Sequence, residues 1–152
     1  MQAIAHWAYS LATAALVILS IAAGGREAAA QNSVQQLSNA LLQFEQHVTW
    51  DAVSGDWAAQ RDGWIAATQT AATPANVAAQ MLLLENAMTW QSVDNSWRQR
   101  RDGWVGEMQA ASAATTVARG LLELEQITLW SAVDGDWRSL RDAWVAGLQS
   151  IQ

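Results

Sequence analysis

The positions of hydrophobic residues divide the chain into two parts. Residues 4–23, IAHWAYSLATAALVILSIAA, form one apolar stretch without a formal charge. Further along, apolar residues recur every three or four positions, which is the spacing of one face of a helix. The first such set is Leu37, Leu41, Phe44 and Val48. The pattern predicts an all-α protein in which a hydrophobic segment precedes a helical domain.

The helical domain is a tandem repeat with a period of 40 residues. Columns of Glu, Val, Arg and Asp keep one register, and three columns of tryptophan mark it most clearly. Identical columns at one period predict three copies of one structural unit, residues 34–73, 74–113 and 114–152. The tryptophan columns are Trp50, Trp90 and Trp130; Trp57, Trp97 and Trp137; and Trp64, Trp104 and Trp144.

Each unit is predicted to be a helical hairpin, because its two halves place their apolar residues on opposite helical faces. Gly55, Asn95 and Gly135 tolerate the left-handed conformation that often ends a helix. The residues that follow them are good N-caps: Asp56, Ser96 and Asp136. We therefore expect the first helix of each unit to end near Val53, Val93 and Val133, and the second to begin near Trp57, Trp97 and Trp137.

Breaks between units are predicted at residues 70–74 and 110–115, where Thr73 would cap a helix that starts at Pro74. The units would stack as an α-solenoid. This architecture resembles the tetratricopeptide and HEAT helical-hairpin repeats, although the tetratricopeptide signature is absent. The alternative is an up-down-up bundle of three helices of about 35 residues, which the heptad spacing of Trp50, Trp57 and Trp64 favours.

Residues 1–26 are interpreted as a transmembrane anchor, and residues 27–33 as a short linker. About 20 apolar residues suffice to cross a bilayer, and Trp7 and Tyr9 suit its interface. A cleaved secretory signal is the alternative, since Ala28–Ala30 resemble a cleavage site, but residues 1–25 lack the basic start of a signal. The signal-like segment and a Gln- and Ala-rich domain without Lys or Cys favour a periplasmic or extracellular repeat domain.

Charge and composition exclude several functions. The net charge is -6 and all eight cations are arginines, so the chain lacks the basic surface that nucleic acid binding requires. It has no cysteine, which rules out disulfides and thiolate chemistry. Ten tryptophans against one Phe and one Tyr are the unusual feature of the composition.

The tryptophans have two interpretations. Arg61 lies between Trp57 and Trp64 on one helical face, where a guanidinium could stack between two indoles. Arg101 and Arg141 repeat this arrangement. Such a surface would offer platforms for sugars, peptides or pigments. Periodic large residues are more often core, however, and we expect these tryptophans to fill the space between helices.

The glutamate column, Glu45, Glu85 and Glu125, lies within apolar stretches, so each carboxylate needs a partner if it is buried. The arginine column on the neighbouring helix would supply one, within or between units. The triplicate occurrence favours structural ion pairs over catalysis, and we expect no enzymatic activity.

His6 lies in the hydrophobic segment and is a candidate pigment or haem ligand, although an interfacial position is the simpler interpretation. His47 stands alone in its column, opposite Ala87 and Ile127, which argues against a metal site. No cofactor or metal is expected.

The sequence thus predicts a non-enzymatic, single-pass membrane protein that acts as an accessory or assembly subunit. Its partners would be the bilayer, through residues 4–23, and other protein subunits of a larger membrane complex. One alternative is a secreted or periplasmic module whose tryptophan platforms bind carbohydrate or peptide. Another is a filament subunit with the N-terminal helix in the filament core.

Overall fold

A computed structural model describes the backbone of residues 5–152 and the side chains of residues 24–152. The chain divides into two compact parts, residues 1–32 and 33–152, and the second part contains all three repeat units. The all-α prediction is confirmed, since six α-helices and no strand occur in the described chain. The helices are α1 (Ala5–His47), α2 (Trp57–Gln69), α3 (Pro74–Ala87), α4 (Trp97–Gln109), α5 (Ala114–Ile127) and α6 (Trp137–Gln149).

Each repeat is a pair of helices rather than one long helix. In the three units, the first helix is the C-terminal part of α1, α3 and α5, respectively, and the second helix is α2, α4 and α6. The second helices begin at the predicted residues, Trp57, Trp97 and Trp137. The break before α3 also lies where it is predicted, because the Thr73 hydroxyl accepts a hydrogen bond from the Asn76 N–H at 3.2 Å and Pro74 opens the helix.

The first helix of each unit ends six residues earlier than predicted, at His47, Ala87 and Ile127. The residues between the two helices of a unit form what we call the connecting segments, residues 48–56, 88–96 and 128–136. They contain extended residues and short 3-10 turns at Trp50–Ala52 and Trp130–Ala132. No Gly or Pro causes the break. The backbone leaves the helix because its polar groups bond to other units.

The predicted turn chemistry between the two helices is wrong. No described residue has a positive φ, so Gly55 and Gly135 do not adopt a left-handed conformation. Asp56, Ser96 and Asp136 have right-handed helical dihedrals and make no side-chain cap bond. In two units, the aspartate two residues earlier has this role. Asp94 accepts from the Ser96 N–H at 2.8 Å, and Asp134 accepts from the Trp137 N–H at 3.2 Å.

The three units close into a ring. Backbone bridges pair Val53 with Met88, Val93 with Thr128, and Val133 with Val48, so the third unit returns to the first. Hydrogen bonds between connecting segments follow the same cycle. Thr49 N–H donates to Ala132 O at 2.9 Å, Thr89 N–H to Ala52 O at 2.8 Å, and Leu129 N–H to Ser92 O at 2.9 Å. The predicted helical repeats are present, but they do not stack as an extended α-solenoid, because one head-to-tail interface, repeated three times, closes on itself.

The predicted linker, residues 27–33, is helical and belongs to α1, since alanine-rich sequence favours helix. Among the residues with described side chains, no helix combines the length and apolar character needed to cross a bilayer. The predicted anchor, residues 4–23, lies outside those residues.

Closure can be tested at the junction between the third and first units. The Trp144 indole N–H donates to the Ala40 carbonyl at 2.9 Å, as Trp64 does to Gln80 at 2.8 Å. We expect Trp144→Phe and Trp64→Phe to lower the free energy of unfolding similarly, each by about 1 kcal/mol or more. Urea unfolding measures both, with the exposed Trp90→Phe as the control. If Trp64→Phe lowered the free energy of unfolding and Trp144→Phe left it unchanged, the three units would form an open stack.

Candidate functional site

A buried carboxylate joins the two helices of each unit. In the first unit, Glu45 on α1 is 5% exposed. Its Oε1 accepts from the Trp57 indole N–H at 3.0 Å and from Arg61 Nε at 2.6 Å, while its Oε2 accepts from Arg61 Nη2 at 2.8 Å. Trp57 and Arg61 are four residues apart on α2 and therefore share a face. We call this arrangement the Glu–Arg–Trp cluster.

The same cluster occurs in the other two units, with each partner in the same unit. Glu85 accepts from Trp97 at 2.9 Å and from Arg101 at 2.6 and 2.8 Å. Glu125 accepts from Trp137 at 3.2 Å and from Arg141 at 2.5 and 2.9 Å. In every unit, the carboxylate hydrogen bond raises the pKa of the arginine. Each carboxylate is thus occupied by three structural donors.

The alternative in which an arginine stacks between the two indoles of its unit is not what the structure shows. Arg61 turns toward Glu45, and Trp57 and Trp64 contact each other directly, edge to face, with ring centroids 5.3 Å apart. The other units repeat this contact at 5.3 and 5.2 Å. The second indole also bonds across the junction to the next unit: Trp104 donates to the Gly120 carbonyl at 3.0 Å. These two tryptophan columns form the core, as the sequence interpretation expects.

The remaining tryptophan column is at the surface. Trp50, Trp90 and Trp130 are 62%, 50% and 51% exposed, and we call them the exposed tryptophans. They lie in the connecting segments, whose mutual hydrogen bonds place them at one end of the domain. Sequence periodicity could not distinguish them from the buried columns. Helical spacing predicts which face a residue occupies only within a helix, and the first helix of each unit ends before its exposed tryptophan. The core interpretation fails for this column.

Arginine covers two of the exposed tryptophans. The guanidinium carbon of Arg98 lies 5.0 Å from the Trp90 ring, and that of Arg138 lies 5.1 Å from the Trp130 ring. Both distances are typical of cation–π contacts. The equivalent residue of the first unit is Ala58. Within the described part of the chain, the cation over the Trp50 ring is Arg61, whose guanidinium carbon lies 5.9 Å from the ring centre.

A pocket lies beside Trp50 and reaches the Glu–Arg–Trp cluster of the first unit. It has a volume of about 220 Å³, and its equivalent in the third unit has about 100 Å³. The larger pocket is lined by Glu45, Gln46, Val48, Trp50, Val53, Trp57 and Arg61.

A second depression, of about 180 Å³, lies where the three connecting segments meet. Equivalent positions of all three units line it, and most of these side chains are small or polar: Thr49, Asp51, Ala52, Thr89, Gln91, Ser92, Ser131 and Ala132.

The junction between the third and first units has a side-chain hydrogen bond of its own. His47 Nδ1 lies 2.9 Å from Asp134 Oδ1, and the imidazole contacts the Trp137 ring at 5.4 Å. The His47 hydrogen bond lowers the pKa of Asp134. Because Ala87 and Ile127 occupy the equivalent positions of the other units, this pair marks ring closure. The sequence shows His47 to be alone in its column but gives no signal of this partner.

The predicted ligand candidate His6 lies outside the described side chains. Among the side chains that are described, no three histidine, cysteine or acidic residues lie close enough together to hold a metal ion.

Comparison with known proteins gives one partial match. A family model described as "Domain of unknown function (DUF8799)" matches residues 31–89, which include the first unit and the first helix of the second. The match covers less than half of the chain. Neither curated proteins nor solved structures contain a match.

The Glu–Arg–Trp cluster should be costly to break. Arg101→Met leaves the Glu85 carboxylate buried with only the Trp97 donor, and we expect the free energy of unfolding to fall by about 3 kcal/mol. Adding Glu85→Leu should restore much of this loss, because the unpaired charge is removed. Chemical denaturation measures both variants. Arg98→Met, three residues earlier on α4 and exposed, should cost less than about 1 kcal/mol; an equal cost would contradict the assigned role of Arg101.

Asp134 should make stability depend on pH. Its pKa in the folded state is below the unfolded value of about 3.9, so its contribution is present above that value and is lost as the pH falls through the folded pKa. Asp134→Asn should therefore destabilise the protein at pH 6 but hardly at pH 2. The effect should stay under about 1 kcal/mol, since the side chain is 45% exposed. Thermal unfolding beside Asp136→Asn measures this; a difference independent of pH would contradict it.

Proposed function

We propose that this protein is a non-enzymatic, membrane-anchored assembly subunit. Residues 4–23 would hold it in a bilayer, and its ring of three helical pairs would dock onto other protein subunits of a larger membrane complex. The exposed tryptophans are the observation that carries this proposal. They are three equivalent large aromatic side chains at one end of a closed domain.

The use of the repeated polar residues supports a non-enzymatic role. The glutamate and arginine columns are hydrogen-bonded to each other and to a core indole in every unit. A general acid or nucleophile needs a free reactive group within reach of a substrate. These carboxylates are at most 6% exposed and already accept three bonds each.

The exposed tryptophans suit protein docking. Tryptophan and arginine are enriched among the residues that dominate binding energy at interfaces, and Trp90 and Trp130 each carry a stacked arginine. Keeping three large aromatic side chains in water gives the isolated domain little benefit. A partner that buries them would gain the hydrophobic free energy that they do not contribute to folding.

The membrane part of the proposal rests on the sequence. Residues 4–23 carry no formal charge, and the length matches the hydrocarbon thickness of a bilayer. Small residues, Ala12, Ala14, Ala15, Ser20 and Ala22, would allow close approach to transmembrane helices of the complex. The repeat domain would lie on the periplasmic or extracellular side.

The docking role can be tested with two matched triple variants. Trp50→Ala/Trp90→Ala/Trp130→Ala removes the proposed contact, whereas Gln69→Ala/Gln109→Ala/Gln149→Ala changes three exposed residues at the far ends of α2, α4 and α6. In native gels of membranes dissolved in mild detergent, we expect the wild type and the glutamine variant to migrate in a large complex. The tryptophan variant should migrate as a free chain.

Two outcomes would overturn this proposal. If the wild type itself migrates as a free monomer, the assembly role fails. If N-terminal sequencing of the mature chain shows a start at Gln31, residues 4–23 are removed and the anchor fails, whatever the gels show.

A further inference from the structure

The three units differ in how much of the exposed indole is covered. Residue 58 of the first unit is alanine, whereas Arg98 and Arg138 stack on their tryptophans. Trp50 is accordingly the most exposed of the three, at 62% against 50% and 51%. The pocket beside it has about twice the volume of its equivalent in the third unit, 220 against 100 Å³. Arg61 lies over the Trp50 ring only at 5.9 Å, so the first unit presents the least covered of the three indoles beside the larger pocket.

The pocket combines this indole with polar groups that are not fully used. Arg61 donates through Nε and Nη2 to Glu45, and its Nη1 makes no hydrogen bond within the described chain. The Gln46 side chain is exposed at the rim and likewise makes none there. Glu45 Oε2 accepts one described bond, so it keeps acceptor capacity. A ligand would meet a flat apolar wall and planar donors and acceptors.

Charge restricts the ligand to a neutral one. The Arg61 guanidinium and the Glu45 carboxylate neutralise each other, with Nε and Oε1 2.6 Å apart. A cationic ligand would face the guanidinium, and an anionic ligand would face the carboxylate. A purely apolar ring would remove water from both groups without replacing its hydrogen bonds, which is unfavourable.

Size and shape restrict the ligand further. Pockets for drug-sized ligands have volumes of about 300–1,000 Å³, so a pocket of 220 Å³ has room for a single ring. A pyranose ring has apolar C–H faces that can stack on an indole, and its equatorial hydroxyls can both donate and accept hydrogen bonds. It therefore complements the indole face and the planar polar groups at once.

We propose that the pocket formed by Trp50, Arg61, Glu45 and Gln46 binds one pyranose ring of a neutral saccharide. Trp50 stacks on the sugar face, and Arg61 and Gln46 donate to its hydroxyls. In the second and third units, Arg98 and Arg138 stack on the equivalent indoles and would compete with a sugar for the ring face. The site shares Trp50 with the proposed docking surface, whereas Arg61, Glu45 and Gln46 belong to the sugar site alone.

The test titrates the intact chain with maltose, cellobiose and N,N′-diacetylchitobiose, each to about 10 mM, which detects Kd values in the millimolar range. Nuclear magnetic resonance resolves the indole N–H signals. We expect at least one sugar to shift the Trp50 signal saturably and to leave the Trp90 and Trp130 signals unmoved. Calorimetry then compares variants. Trp50→Ala and Ala58→Arg should each weaken binding at least about tenfold, and Trp130→Ala should leave it unchanged.

Ala58→Arg is the decisive variant, because it introduces the arginine of the other two units at an exposed position and leaves every tryptophan in place. It should retain the thermal stability of the wild type. The proposal is overturned if no sugar moves the Trp50 signal, if Ala58→Arg binds as tightly as the wild type, or if all three exposed tryptophans respond equally. If the sugars fail while the triple tryptophan variant still leaves its complex, the exposed tryptophans serve protein docking alone.

Discussion

The buried carboxylate in the first helix of each unit determines how the two helices of that unit meet. Removing a carboxylate from water is unfavourable unless donors replace the lost hydrogen bonds. Glu45 obtains three, from two residues one turn apart on the second helix. The planar guanidinium of Arg61 matches both carboxylate oxygens, a geometry that lysine could not provide. The requirement thus fixes the rotation and register of one helix against the other.

Ring closure is the second constraint, and it explains the shape of the connecting segments. In an open stack, the first and last units would each lack a neighbour and would need a different surface. Here the third unit bonds to the first through Val133 and Val48, and Trp144 reaches the Ala40 carbonyl. Every repeat therefore has two neighbours, and the His47–Asp134 pair strengthens the one junction that the chain does not cross covalently.

Tryptophan serves three purposes at its three positions in the repeat. The column that includes Trp57 fills the core and completes the carboxylate site, and the column that includes Trp64 bonds to the next unit. The column that includes Trp50 has no such role and is exposed. The first two columns explain why the domain is stable, and the third is the one available for binding. Residue 58 is alanine where the other two units have Arg98 and Arg138, so the three exposed tryptophans have different surroundings. This difference allows one unit to have a binding role of its own.

Much of the fold could be predicted from the sequence because it depends on local rules. The period of 40 residues and the Thr73–Pro74 cap follow from residue spacing and helix-end chemistry. The starts of the second helices were predicted at the right residues, but from a turn chemistry that the structure does not use. The need of each buried glutamate for a partner follows from the cost of burying charge. The candidate site could not be predicted in the same way, since no local pattern in the sequence distinguishes Trp50 from Trp57.

Only the tertiary structure decided where the first helices end and which tryptophans face water. Residues 48–53 have the spacing of a helix, but their backbone groups gain partners in neighbouring units when they leave it, as Thr49 does with Ala132 and Ala52 with Thr89. Those partners are far away in the sequence or belong to another repeat. The sequence by itself determined three equivalent units and their buried ion pairs; closure of those units into a ring, through bonds between distant backbone groups, decided the exposed surface.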